Sequence, residues 1–380
     1  MKTAFGSSIG LAGLLIRRGA LRAAFLLLLF EICTTIATAQ TSKVPKYRLV
    51  DLGHLPGDSQ ISGDGPIATA INESGQITGY EYFNYQPRAF VYDDGQMQDL
   101  GSFRAAAINA HGHIAGSGSA FNSQYHAFLY DGTMRDLGTL GGDYSQASGI
   151  NKHDQVVGWS LLPKYGVYHA FLYDGAMHDL GTLSGLALSQ ASGINDKGLI
   201  VGWCLEQGDH PLIRAFLYDG SFHDLGTLGG PTAIATAINN RGIVVGGADT
   251  TSSGQPHPFL YDGSMHDLAA GRVDVGGAAA AINDGDQVVG GLGNGSFLYQ
   301  KGRLYELRQL LDSSGDGWEY FAPNGINNRG QIVGFGYLTL TGPIHAFRMD
   351  PIRSPDEDHD QDGASAQSER LSRVGGGGSR

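Results

Sequence analysis

The sequence predicts an all-β fold, a seven-bladed β-propeller-like ring of seven four-stranded repeats of about 43 residues, closed by the N- and C-terminal strands. Three observations predict it. The first is composition: 59 Gly and 13 Pro among 380 residues, with no three-residue period. Glycine costs roughly 1 kcal/mol in a helix interior, which disfavours long helices, and the missing period excludes collagen. The second is an internal repeat: Ile-Asn recurs with Asn at 72, 109, 151, 195, 239, 283 and 327, and a Gly stands seven residues after each Asn. The third is the pair of ends. The stretch Tyr47 to Gly53 lacks the aromatic strand that opens later repeats, and His345 to Met349 supplies one such strand and nothing more. One missing and one spare strand complete a mixed sheet and hide both edges. An open solenoid or sandwich array is the alternative, and it would need dedicated caps.

Ahead of the repeats, residues 1–39 read as an export signal. Lys2, Arg17, Arg18 and Arg22 precede or flank an apolar run from Ala23 to Phe30, and Ala37-Thr38-Ala39 gives the small-x-small pattern for cleavage between Ala39 and Gln40. A secreted or periplasmic protein is expected. A retained anchor is the other reading, although Glu31 breaks the run and it is short for a bilayer. No later segment could cross a membrane. The leader carries a net +3, which leaves −15 on the remainder; such a chain repels phosphate backbones, so nucleic acid is not an expected partner. Of the two cysteines, Cys33 falls in the leader, so Cys204 has no intramolecular partner after cleavage and should be a buried small hydrophobe.

Residues 45–351 form the repeat domain, and each repeat contains four strand-sized pieces. In the repeat that runs from His126, HAFLY and MRDLGTL flank Asp131-Gly132, a pair that suits a type I′ hairpin turn; Asp174-Gly175, Asp219-Gly220 and Asp262-Gly263 repeat it. The second pair of strands, ASGIN and QVVGW, flanks a turn opened by the Asn. The residue three positions on must adopt a left-handed conformation, and it is Gly five times and Asp twice, at Asp154 and Asp286. The repeated Asn is therefore read as a turn residue before a catalytic one.

These residues and spacings resemble the HAF-repeat family of probable extracellular bacterial proteins. His-Ala-Phe stands intact at His126, His169 and His345, with variants at Arg88-Ala89-Phe90, Arg214-Ala215-Phe216, Pro258-Phe259 and Ser296-Phe297. The resemblance covers about residues 47–350 and implies a secreted repeat protein; it carries over no activity and no catalytic residue.

Histidine next to aspartate recurs at His178-Asp179, His223-Asp224 and His266-Asp267. Neighbours in a strand point to opposite faces, so a pair does not hold one ion, and a repeated structural hydrogen bond explains the Asp. Departures from the repeat are better candidates. Trp159, Trp203 and Trp318, with Tyr165 and Tyr168, fall after strands or in connections, and of these Tyr165, Tyr168 and Trp318 are the candidate ligand contacts. Packing between blades is the competing reading for Trp159 and Trp203. The insertion Arg308 to Asn324 holds Asp312, Ser314, Asp316 and Gly317, half of a calcium loop without its closing Glu.

Residues 352–380 read as a disordered acidic and Gly-rich tail. Within it, residues 358–369 meet the twelve-residue calcium-loop pattern: Asp358, Asp360 and Asp362 as ligands, Ala364 through its carbonyl and Glu369 as the closing carboxylate. A chance match in an acidic tail competes with it, and any calcium bound there would be weakly held. No nucleophile elbow, phosphate loop or spaced Cys/His ligand set is present, so no catalytic residue and no other cofactor is expected. The leading functional expectation is a secreted, monomeric, non-enzymatic scaffold that binds an extracellular glycan or protein. The alternative is a propeller enzyme of the polysaccharide lyase, hydrolase or lactonase kind with a channel site.

Overall fold

The computed structural model describes residues 44–56, 65–119, 125–164, 166–208, 212–251, 254–272, 275–339 and 342–353; the Ala39–Gln40 position and the tail from 354 lie outside them. Nearly every described strand runs antiparallel to its neighbours in sequence order. A representative sheet consists of Ser145–Ile150, Val156–Leu161, Tyr168–Tyr173 and Met177–Gly181, paired in that order. Five sheets stand alone with four strands, where the repeats predict seven. The other eight strands, from Leu188–Ile194 to Met265–Asp267, form one sheet. What joins its halves is a single parallel bridge, Ile213 to Thr232, made because the strand Gly229–Ile238 is ten residues long.

The repeat glycine and the repeat phenylalanine explain each other. Gly158 pairs with Phe171, Gly202 with Phe216 and Gly246 with Phe259 across the second and third strands. A register shift in the first strand, between Ala147 and Gly149 in the representative sheet, brings a carbonyl under that glycine. A Cβ at Gly158, Gly202 or Gly246 would overlap the carbonyl oxygen of Gln146, Gln190 or Ile234. Seven phenylalanines, Phe90, Phe128, Phe171, Phe216, Phe259, Phe297 and Phe347, are at most 2 % exposed, so this one position supplies the centre of each layer of core.

The turns divide into two kinds. Between the first and second strands the expected turn is present: Gly75, Gly112, Gly198, Gly242 and Gly330 have positive φ, and Asp154 and Asp286 take the same conformation at 60° and 58°. Between the third and fourth strands the expectation is corrected. At Asp131-Gly132 only the Gly has positive φ, because Thr133 makes the loop three residues long between paired Tyr130 and Met134. Two-residue loops with both residues at positive φ occur instead at Asp94-Gly95 and Lys301-Gly302.

The two ends meet in one sheet, in the order Tyr47–Asp51, Ile344–Pro351, Ile332–Tyr337, Tyr320–Ile326. Leu49 lies opposite Met349 and Asp51 opposite Phe347, so the spare C-terminal strand fills the place between the N-terminal strand and the last repeat. The insertion Arg308 to Asn324 then covers the exposed edge. Asp312 N–H donates to the Tyr47 carbonyl at 2.9 Å, and Leu49 N–H donates to Ser314 Oγ at 2.7 Å. Ser314 Oγ and its backbone N–H both donate to Asp312, whose carboxyl is held below its ordinary range chiefly by those bonds. The half calcium loop is thus an edge clamp, and its carboxylate serves the fold.

On the inner side, first strands of successive repeats converge. The residue two before each Asn is Ala or Gly, and a Cβ at Gly149 would lie 3.3 Å from the Gly193 Cα, one at Gly325 3.4 Å from the Ala70 Cα. The asparagines themselves are 2–5 % exposed. In the Asn195 turn, Oδ1 accepts the N–H groups of Lys197 and Leu199 at 3.0 Å, as the turn reading requires. The Nδ2 group does something the turn does not need. It donates to the backbone carbonyl of the next repeat's asparagine: 72 to 109, 109 to 151, 151 to 195, 195 to 239, 239 to 283, 283 to 327 and 327 back to 72, at 2.9–3.1 Å. Seven buried amides form a closed circle.

Two outcomes follow from this closure. Asn195→Ala leaves the Lys197 and Leu199 N–H groups without their acceptor and removes one of the two bonds to the Asn239 carbonyl, which keeps the Gly242 N–H, and should lower stability by about 1–3 kcal/mol. Asn195→Asp keeps the turn acceptor but sets a carboxylate against that carbonyl, and it should also destabilise; urea unfolding that matches the parent chain for both would contradict the circle's role. Ending the chain at residue 343 removes Ile344–Pro351 and opens both adjoining strands, so the truncated chain should associate or melt lower by calorimetry and sedimentation.

Candidate functional site

Two poles flank the convergence of the inner strands. One carries the asparagine turns. The other lies at the opposite ends of the same strands, and there the repeat positions diverge. Eight residues after the repeat Asn stand Tyr80, Ser117, Trp159, Trp203, Gly247, Gly291 and Phe335. The position is aromatic in the first, third, fourth and seventh repeats, serine in the second and bare glycine in the fifth and sixth.

Around the aromatic part, side chains build a continuous run. Tyr125 and Tyr144 stack with centroids 4.8 Å apart and planes 13° apart, and Tyr144 stacks on Trp159 at 4.9 Å and 23°. Trp159 leans on Tyr168 at 5.1 Å, and Tyr168 meets Trp203 edge-on at 6.5 Å. At the other end the Arg104 guanidinium lies 5.4 Å over Tyr80 and 5.2 Å over Tyr82. Tyr125, Tyr144, Trp159, Tyr168 and Trp203 are half-buried, and Arg104 is exposed. Burial raises the phenol pKa of Tyr125, Tyr144 and Tyr168, so these hydroxyls stay neutral donors and acceptors. Tyr144 Oη donates to Gln146 Oε1 at 3.4 Å, which holds a polar group beside the rings. Flat apolar rings edged by neutral hydroxyls and an amide can stack on a sugar face and bond its hydroxyls.

The expected site residues fare unequally. Tyr168 opens its strand and sits inside this run, between the two tryptophans. Trp318 is corrected: at 4 % exposure it stacks on Phe321 at 5.7 Å and meets Phe347 edge-on, a core residue beneath the edge clamp. Trp159 and Trp203 lie within the strands Val156–Leu161 and Ile200–Leu205, not after them. Tyr165 and the calcium-loop residues Asp358, Asp360, Asp362, Ala364 and Glu369 lie outside the described residues. Tyr80, Arg104, Tyr125 and Tyr144 add to the expected residues; Tyr80 stands at the position eight after the repeat Asn, whereas Arg104, Tyr125 and Tyr144 join through packing between sheets.

Near the asparagine pole a cavity of about 210 Å³ is lined by the seven repeat isoleucines and by Glu73, Ala110, Lys152, Asp196, Asn240, Asp284 and Asn328, the residues after each Asn. These side chains bind one another's turns. Asp196 accepts the Lys152 N–H at 3.0 Å, Asp284 the Asn240 N–H at 2.8 Å and Glu73 the Asn328 N–H at 3.1 Å. Burial raises the Glu73 pKa, with the Asp284 charge adding to the effect.

The histidine–aspartate pairs have the structural explanation foreseen. The His-Ala-Phe histidines His126, His169 and His345, and His257 at the equivalent position, bond Asp136, Asp179, Asp51 and Asp267 respectively through Nδ1 at 2.8–3.1 Å. The other set turns away: His178, His223 and His266 bond the hairpin carboxylates Asp174, Asp219 and Asp262. Among the described residues no helix is long and apolar enough to cross a membrane.

No family model matches the chain, and no curated protein matches it. Solved structures do. The β-propeller domain of the trilobed protease from Pyrococcus furiosus, described as having an open velcro topology, superposes with a TM-score of 0.52 at 10 % identity over 78 % of this chain and 96 % of that one. The acylaminoacyl peptidase of Pyrococcus horikoshii gives 0.51 at 12 % identity, over 84 % of this chain and 54 % of that one. The fold is a β-propeller. The Aleuria aurantia lectin bound to Fucα1-6GlcNAc matches at a TM-score of 0.36 and 12 % identity over 76 % of this chain and 94 % of that one.

Within the propeller, Cys204 is fully buried beside Trp203, and burial pushes its thiol pKa up to about 11. In a Cys33→Ser chain at pH 8, about one Cys204 thiol in a thousand would be ionised, so native labelling by a disulfide reagent should be far slower than in urea. Its folded pKa lies above the ordinary value of 9.0, so its stabilising effect is complete below pH 9 and fades as pH climbs through 11. Labelling of the folded chain at the free-thiol rate would contradict this burial.

Proposed function

We propose that the chain is a secreted, non-enzymatic binding propeller of seven repeats that takes an extracellular glycan on its aromatic pole. The observation that carries this reading is the run Tyr125–Tyr144–Trp159–Tyr168–Trp203, which spans successive repeats and has glycines at Gly247 and Gly291 in place of its tryptophans. Side chains that merely served the repeat would recur all the way round. A ligand that touches one sector accounts for aromatics in one sector.

Support for seven units comes from the circle of seven asparagine bonds and from the thinness of the Ile213–Thr232 bridge, which leaves four strands on either side of it. The leader and the HAF-repeat resemblance support export, with cleavage after Ala39. Against a channel enzyme stands the state of the axial carboxylates: Glu73, Asp196 and Asp284 each accept a backbone N–H of a neighbouring turn, which commits them to the ring. The peptidase neighbours share the fold at 10–12 % identity, and that likeness extends no chemistry to this chain.

The chain's net charge of −12 disfavours polyanionic ligands, so neutral oligosaccharides should bind ahead of sulfated or phosphorylated ones on a glycan array. Removing one ring by Trp159→Ala should weaken the bound glycan by about tenfold, the equivalent of ~1.4 kcal/mol. Phe335→Ala, outside the run, should leave it unchanged. Binding that survives Trp159→Ala together with Tyr144→Ala would place the ligand elsewhere.

A further inference from the structure

The second repeat differs from the others at its asparagine turn. The second repeat reads Asn109-Ala110-His111-Gly112-His113, and the left-handed turn residue of the third is Asp154. The turns pack side by side, and the Nδ2 group of Asn109 donates to Asp154 Oδ1 at 2.8 Å. His113 Nδ1 lies 2.8 Å from the same oxygen. The rings of His111 and His113 are 5.8 Å apart. One nitrogen from each and one carboxylate oxygen lie with no pair farther apart than 4.8 Å.

The repeat contains its own control. Where the fourth residue after the Asn is Gln, its Oε1 accepts the remaining Nδ2 proton, as Gln76 does for Asn72 and Gln155 for Asn151. His113 occupies that position in the second repeat. In the fifth repeat the position is Ile243, and Asp286 of the sixth repeat accepts the Asn239 Nδ2 proton at 3.1 Å, as Asp154 does for Asn109. The other oxygen of Asp286 then takes the Arg241 guanidinium at 2.8 Å. His111 stands where Arg241 stands. Two junctions therefore share one carboxylate geometry, and where one supplies a fixed cation the other supplies two imidazoles.

We infer that His111, His113 and Asp154 form a site for a divalent transition ion of the zinc type at the junction of the second and third repeats. Imidazole nitrogen and carboxylate oxygen suit Zn²⁺, Ni²⁺ or Cu²⁺, whereas Ca²⁺ and Mg²⁺ require oxygen shells. Three atoms within 4.8 Å of one another can all be reached from one point at about 2.8 Å, and coordination at about 2.0–2.2 Å then needs only small rotations of half-exposed side chains. The Asn109 bond to Asp154 fixes the carboxylate from behind, as a second-shell donor does in metal sites. Three protein ligands leave the fourth position open to water or to a partner's side chain.

The test is titration of the full chain with Zn²⁺ by calorimetry and with Co²⁺ by visible absorption, with Ca²⁺ as the hard-ion comparison. The parent chain should take up one more equivalent of Zn²⁺ than the double variant His111→Arg/His113→Gln, and Co²⁺ should give visible bands only in the parent. That variant installs residues the repeat already uses at these positions in Arg241 and Gln155, and an unchanged melting temperature without metal would show that it folds. The single variant His113→Gln should weaken Zn²⁺ by at least tenfold, since loss of an outer-shell partner alone typically costs 10–100-fold. Equal Zn²⁺ uptake by parent and double variant, or no stoichiometric uptake by the parent, would overturn the inference.

Discussion

The circle of asparagine amides is the constraint from which the rest of the molecule follows. Each Asn must satisfy its own turn with Oδ1 and the neighbouring turn with Nδ2, so its side chain has one orientation only. That orientation sets how far apart successive first strands stand. The distance in turn admits only Ala or Gly two residues earlier, where strands from adjacent repeats come within ordinary contact. Moving outward, the register shift in the first strand puts a carbonyl under the repeat glycine, and that glycine pairs with the phenylalanine of the third strand. Sequence invariance at four positions of the repeat thus traces to one hydrogen-bonded geometry repeated around an axis.

Closure explains why the ends look irregular. A ring built from whole repeats would close by contact between first and last sheets alone. Here the N-terminal strand pairs with the C-terminal strand along five residues, and the insertion at Arg308 to Asn324 bonds the edge that this leaves. The insertion places Trp318 over Phe321 and Phe347, so the largest aromatic outside the repeat pattern is used as filling beneath the seam. An aromatic in a long connection can serve a ligand or a core, and the burial of Trp318 decides for the core.

Much of this was legible in the sequence because the repeat converts local chemistry into global symmetry. Seven occurrences of Ile-Asn with a Gly or Asp three residues on specify a turn, and the turn fixes where strands begin. The HAF strand missing from one end and spare at the other specified the seam. Other features were not legible. Nothing in the spacing of asparagines announces that Nδ2 reaches the next repeat, since that contact exists only when the ring has formed. The loop at Asp131-Gly132 departs from the turn its dipeptide suggests because one extra residue, Thr133, changes the turn class without changing the dipeptide. The aromatic run was half visible: Trp159, Trp203 and Tyr168 depart from the repeat, but Tyr125 and Tyr144 join them only through packing between sheets.

The two poles differ in what the repeat asks of them. At the asparagine pole the backbone N–H groups of the turns are taken by side chains from the same or the next repeat, so variation there is confined to the few positions around each turn that the circle does not use. His111 and His113 occupy such positions and face Asp154, which accepts a bond from Asn109 Nδ2. At the opposite pole the position eight residues after each Asn is set repeat by repeat: Ser117 Oγ accepts the Ala147 N–H at 2.9 Å, and a Cβ at Gly247 would come within 2.9 Å of the Ala278 Cβ. The position can be tryptophan in Trp159 and Trp203 or bare in Gly291, where an added Cβ would meet nothing nearer than 3.9 Å. In one sector of this face Tyr125, Tyr144 and Trp159 stack while Tyr168 and Trp203 follow tilted and edge-on, and that unequal distribution around the repeats is what the proposed glycan surface rests on.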